Sequence, residues 1–186
     1  MHKYRCIGSE SISCEGITLG AIQPDEIETI RVWRNQQKEI LRQNQDITIS
    51  GQKSYFENFV WNYLDAPAPS QILLSIYKGN LLIGYGGLVH ISWENFRAEI
   101  SFLTDSLISE GSDEYRTVFI SFLKAIESIA RDKLGLHKLT LETYEIRDKH
   151  IAVIESAGFV REGTLIDHVL IDRQWLKSIL HGKVFS

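Results

Sequence analysis

The chain has 186 residues, 44% hydrophobic and 24% charged, with a formal net charge of -4. Such a length is the size of one domain, here taken as residues 1–186, and lets a fold bury close to ~70% of the surface its unfolded form exposes. The negative balance argues against a nucleic-acid partner, which calls for a basic excess, and no apolar run approaches the ~20 residues of a membrane span. The opening MHKYRCIGSE has no apolar signal core, and Cys6 and Cys14 are the only cysteines. Two free thiols in a reducing cytoplasm, without a disulfide framework or a metal site, are therefore expected.

Residues 1–14 are polar and predict an irregular segment, followed by a first strand over 17–22. Pro24-Asp25-Glu26 predicts a helix start, with Pro in the first turn and acids at the positive end of the dipole. That helix carries Ile27, Ile30 and Trp33, and a second short helical stretch is expected over 40–43. A large aromatic such as Trp33 packs into a core or lines a site. Arg34 is able to fork onto a carboxylate or phosphate or to stay solvated. Ser50 is the expected cap of a helix through Tyr55, Phe56, Phe59, Val60 and Tyr63, spaced three and four apart.

Strands are predicted over 71–77 and 81–91, joined by the Lys78-Gly79-Asn80 turn. Gly84-Tyr85-Gly86-Gly87 interrupts the second, and three glycines in a strand call for a bulge or a close approach by another group. Residues 98–104, AEISFLT, predict the next strand. The apolar stripe Val118, Phe119, Phe122, Leu123, Ile126, Ile129 and Ala130 predicts a long helix closed by Gly135. A strand with Leu139, Leu141 and Thr143 alternating follows, then a helix from Asp148 with Ile151 and Ile154 three apart, stopped at Ala157-Gly158. Alternation resumes after Phe159, and two further strands are expected over 165–171 and 176–185. No GxSxG, HExxH, Walker lysine loop or paired CxxC is present, which leaves hydrolase, metalloenzyme and nucleoside-triphosphatase chemistry without a motif.

Leu134-Gly135-Leu136-His137-Lys138-Leu139, Glu155-Ser156-Ala157-Gly158-Phe159 and Arg161-Glu162-Gly163-Thr164-Leu165 resemble the C-terminal half of the GNAT acyl-CoA N-acyltransferases, most of all the RimJ/RimL-like branch. The likeness runs diffusely over residues 15–185. Arg147 and Ile154 stand where that family usually has Asn and Tyr, and His181-Gly182 where the branch often has Tyr-Gly. The resemblance implies an α/β fold: a mixed, mostly antiparallel sheet with a splayed parallel strand pair and helices on both faces. It implies acetyl-CoA as co-substrate without a metal, a small-molecule amine acceptor, and a monomer or homodimer. Phe102, Leu103 and Thr104 lie on the strand that receives the coenzyme. Gly111, Ser112, Arg116 and Thr117 lie where a pyrophosphate loop opens a helix, although the usual glycines are missing, and Arg147 sits at the coenzyme-facing Asn position.

Under the same resemblance Glu99 is the first candidate base for deprotonating the attacking amine, with His90 second. Tyr144 or a water is the candidate to protonate the leaving thiolate, unless the thiol, whose pKa is modest, leaves unassisted. Trp33, Arg34, Asn35, Arg42 and Glu142 are the expected acceptor-side residues. Trp33-Arg34-Asn35 resembles a motif of GNAT enzymes for amino-sugar biosynthesis, so a nucleotide-linked amino sugar held through an Arg–phosphate contact is the expected acceptor. A protein N-terminus, as in the ribosomal-protein branch, and a non-catalytic acyl-CoA sensor on the same fold are the alternatives.

Overall fold

The computed structural model describes residues 2–8 and 11–185. Eight strands make one sheet in the order β1-β2-β3-β4-β5-β6-β8-β7. They are β1 Ser11–Cys14, β2 Ile17–Ala21, β3 Ile72–Lys78, β4 Leu81–Ser92, β5 Arg97–Thr104, β6 Lys138–Tyr144, β7 Val160–Ile171 and β8 Gln174–Val184. The helices are α1 Ile27–Gln36, α2 Ile49–Tyr55, α3 Asp113–Ser128 and α4 Asp148–Ser156. Every neighbouring strand pair is antiparallel except β5 with β6.

Helices cover both faces because both faces are apolar. On one, α3 lays Phe119, Phe122, Leu123 and Ile126 over Ile72, Leu88, Ile100 and Leu139, and α4 adds Val153 and Ile154. On the other, Ile30 and Trp33 of α1 join Phe56 against Leu73, Tyr85 and Leu103. Strand alternation therefore assigns Glu99, Ser101 and Leu103 to the α1–α2 face, and Ala98, Ile100 and Phe102 to the α3–α4 face.

Several local expectations are corrected. Residues 11–14 are not irregular: they form β1, pairing Ser11 with Gly20 through Cys14 with Ile17, while residues 1, 9 and 10 lie outside the described residues. The helical turn expected over 40–43 is a 3-10 turn at Lys38–Ile40, with Leu41 extended. The cap of α2 is Thr48, whose hydroxyl accepts the Gly51 N–H at 3.0 Å, because Ser50 already lies inside the helix. From Phe56 the helix widens into a π turn to Val60 and tightens into a 3-10 turn at Trp61–Tyr63. Residues 160–171 form one strand, irregular between Leu165 and Val169.

The glycines of β4 are explained by contact. A Cβ on Gly84 would meet the Leu103 carbonyl oxygen at 2.6 Å, and one on Gly86 would meet that of Ser101 at 2.4 Å. Gly87 has φ +150°, and its Cβ would lie 2.0 Å from the Ile72 oxygen. Backbone cannot retreat as a flexible side chain does, so Gly87→Ala should lower unfolding stability by roughly 2 kcal/mol or more in urea titration. An unchanged midpoint would mean that β3 and β4 are able to part there.

Candidate active site

The pairing of β5 with β6 is short: Arg97 with Lys138, Ala98 with Leu139 and Glu99 with Thr140. Beyond it β5 stays on β4 as far as Thr104, and β6 stays on β8 as far as Tyr144. The facing edges separate and open a wedge. Phe96 oxygen accepts Lys138 N–H, so the even residues of β5 aim at β6. The odd ones aim at β4: Ser101 and Leu103 oxygens lie against Gly86 and Gly84, and Asp105 N–H bonds Ile83 oxygen. By that alternation, Ile100 N–H makes the last β6 contact, to the Thr140 oxygen, and the C=O of Ile100 with the N–H and C=O of Phe102 point into the wedge without a strand partner. Buried backbone groups require partners, and amides of an extended ligand satisfy such an edge as another strand would. The chain thus fits a coenzyme's amide-bearing arm.

A cleft of about 540 Å³ runs through this wedge from one face of the sheet to the other. On the α1–α2 side it holds all three candidate catalytic residues, Glu99, His90 and Tyr144, with Arg34, Arg42 and Glu142. The Arg42 guanidinium bridges the opening strands, 3.1 Å from Glu99 on β5 and 2.5 Å from Glu142 on β6. The far Glu142 oxygen is buried without a hydrogen bond and lies 3.5 Å from His168. Tyr144 is buried, and burial pushes its pKa up, with Glu142 adding to the rise and Arg42 opposing it. Its hydroxyl accordingly keeps its proton at neutral pH. His90 is exposed on the rim in a left-handed conformation, φ 50°, at the β4 irregularity between Val89 and Ser92.

Other sequence candidates are distributed differently. Trp33 is 5% exposed and packs in the α1–α2 core; the helix turns it toward the sheet rather than the cleft, which corrects its placement as an acceptor contact. Asn35 braces the following loop, accepting Ile47 N–H and donating to Ile47 oxygen, and does not line the cleft. Leu103 is buried on the α1 face, and Thr104 gives its oxygen to Gln37, so of the three β5 coenzyme candidates Phe102 alone lines the cleft. Ser112 caps α3 by accepting Tyr115 N–H at 3.1 Å, and Gly111, φ +95°, rests against Lys149. Arg116 and Thr117 are exposed on the first turns of α3, outside the cleft. Asp113 and Glu114 make that turn acidic.

A buried polar chain on the α3–α4 side has no counterpart in the sequence reading. Arg147 donates to Glu110 at 2.8 Å and to the Tyr115 hydroxyl at 3.0 Å, and that hydroxyl lies 2.7 Å from His150 Nδ1. Because the Tyr115 oxygen accepts from Arg147, its own proton goes to Nδ1, which leaves the imidazole proton on Nε2. His150 stacks on Phe119, ring centroids 4.4 Å apart, and lines the cleft. Burial drives its pKa well below 6.5, helped by Arg147. Burial likewise raises Tyr115. A sequence signal existed: His150 lies three and four residues before Val153 and Ile154, the buried stripe of α4.

Known proteins similar to this chain share its fold. Residues 19–180 match the family model described as the acetyltransferase (GNAT) domain. No curated protein sequence matches. Among solved structures, a spermidine N-acetyltransferase from Vibrio cholerae, in complex with CoA and spermine, has a TM-score of 0.78 at 17% identity, over 91% of this chain and 95% of that one. A ribosomal-protein-S5-alanine acetyltransferase from Vibrio fischeri has a TM-score of 0.75 at 18% identity, over 95% and 97%. At such identities the likeness carries the fold.

The depressed pKa of His150 has a consequence for stability. Below pH 6.5 the unfolded chain takes up a proton that folded His150 refuses, so stability falls as pH drops from 6.5 toward the folded value. Above 6.5 neither state carries that proton, and the penalty is absent. His150→Phe should make the decline of urea stability between pH 6.5 and about 5 shallower than in the wild type. Parallel declines would mean that His150 is protonated in the folded chain.

Proposed function

Because the chain belongs to the GNAT acetyltransferase family and is therefore an acyltransferase, we propose that it moves an acetyl group from acetyl-CoA to the primary amine of a small cationic acceptor. The observation that carries this reading is the pair of carboxylates, Glu99 and Glu142, set on the two diverging strands at the α1–α2 mouth of the wedge and joined by one half-exposed arginine. Two carboxylates there select a cation. Arg42 is half-exposed and able to return to solvent, so an incoming ammonium can take its place between the two carboxylates.

Acetyl-CoA, when bound, supplies the thioester. The ammonium cannot attack until it loses a proton, and Glu99, the last β5 residue paired with β6, accepts it. The N–C bond forms as the C–S bond breaks, the thiolate takes the proton that burial keeps on Tyr144, and the second proton shed by the acylated nitrogen restores the Tyr144 hydroxyl. His150, neutral with its proton on Nε2, offers a further donor from the opposite side.

An acceptor carrying phosphates fits this mouth less well. Arg34 is engaged by the Tyr85 hydroxyl at 2.6 Å and Gln43 at 3.1 Å, Arg42 by the two carboxylates. A nucleotide-linked amino sugar would bring its phosphates toward Glu99 and Glu142, and we favour a simple amine over it. The likeness to a protein that acetylates spermidine supports an amine acceptor.

Release of CoA thiol with a panel of primary amines tests the reading. Glu99→Gln should lower turnover by roughly 10² or more and leave acetyl-CoA affinity unchanged. Equal turnover would remove Glu99 as the base. Coenzyme binding without thiol release for any amine would make the chain a sensor on this fold.

A further inference from the structure

A second hollow of about 500 Å³ lies beneath α1 and α2, against the same face of the sheet. Its walls are mainly apolar: Ile30, Ile47, Phe56, Leu73 and the rings of Tyr55 and Tyr85. It shares Arg34, Tyr55, Val89 and Ser101 with the cleft, so the two spaces are divided by a partition one side chain thick. The hollow opens to the surface beside Asp46, Thr48 and Gly51, and water finds few partners along its apolar walls. No side chain of the described residues fills it.

The partition itself is polar and cationic. Arg34 donates to Tyr85 and Gln43, and among the described residues no carboxylate lies within ion-pair distance of it. Asp46, at the outer rim, is already engaged by Lys38 at 2.5 Å. A second ammonium passing from the cleft would meet the like charge of Arg34, whereas an uncharged apolar group meets walls of its own kind. Glu99 and Ser101 share a strand face two residues apart, about 7 Å at the usual rise.

We propose that this hollow is an acceptor subsite for an uncharged apolar or aromatic group, making the preferred acceptor a monoamine with a hydrocarbon tail rather than a di- or polyamine. The inference rests on the amine-acetylation reading only for the position of the amine.

The probes are ethylamine, propylamine, hexylamine and 1,6-diaminohexane, each followed by CoA thiol release and by calorimetric binding. Each buried methylene is worth roughly fourfold in affinity, so hexylamine should exceed propylamine at least tenfold in both measurements, and the diamine should lose most of that gain. Ile47→Trp puts a ring into the hollow from a loop whose backbone Asn35 and Arg31 hold, and should erase the chain-length dependence while acetyl-CoA binds as before. Arg34→Gln removes the charge and should narrow the gap between hexylamine and the diamine. A flat response to chain length in a wild type that still turns over short amines would overturn the subsite and leave the acetyltransferase reading standing. Length-dependent binding without thiol release would do the reverse.

Discussion

Parallel pairing between β5 and β6 ends after Glu99 and Thr140, and the geometry of the site follows from that ending. Each strand continues only because its other neighbour holds it, β4 on one side and β8 on the other. Between them the wedge is kept from collapsing by what lies on its faces. Phe102 stacks on Phe119 at 4.3 Å on the helix side, and Arg42 bridges Glu99 and Glu142 on the other. The close approach of β4 at Gly84 and Gly86 supports the same arrangement, since a side chain there would push β5 toward the gap it must leave open.

The two faces of the wedge differ in electrostatics, and the difference divides the chemistry. The α1–α2 face presents carboxylates that attract a cation and a tyrosine that keeps its proton. On the α3–α4 face a buried chain of Glu110, Arg147, Tyr115 and His150 ties the loop before α3 to the start of α4. Arg147 lines the cleft from that face, and Glu110 already pairs with it, so a phosphate binding there would exchange partners rather than meet a free guanidinium. The acidic first turn of α3 works in the same direction, opposing the attraction of the helix dipole for an anion.

Much of this was legible in the sequence because it is local. Period-two alternation set Glu142 on the face of β6 opposite Leu139, Leu141 and Thr143, and the glycine cluster called for a bulge or a close approach before any partner was known. What escaped depends on distant pairing. Trp33 and Arg34 are adjacent on α1, and periodicity alone did not say which would face the sheet and which the cleft; the helix phase sends Trp33 inward and Arg34 to the partition. Tyr115 and His150 are 35 residues apart, so their contact has no local signature. β1 was missed because a four-residue edge strand with half its positions exposed carries almost no alternation.

The open edge of β5 is the feature on which the proposed coenzyme site rests, and amide hydrogen exchange reads it residue by residue. On addition of acetyl-CoA, the Phe102 amide should slow markedly, while those of Ile100, already bonded to β6, and of Ser101 and Leu103, turned toward β4, should change little. Uniform slowing along β5, or slowing confined to other elements, would contradict the assignment of the wedge as the coenzyme site.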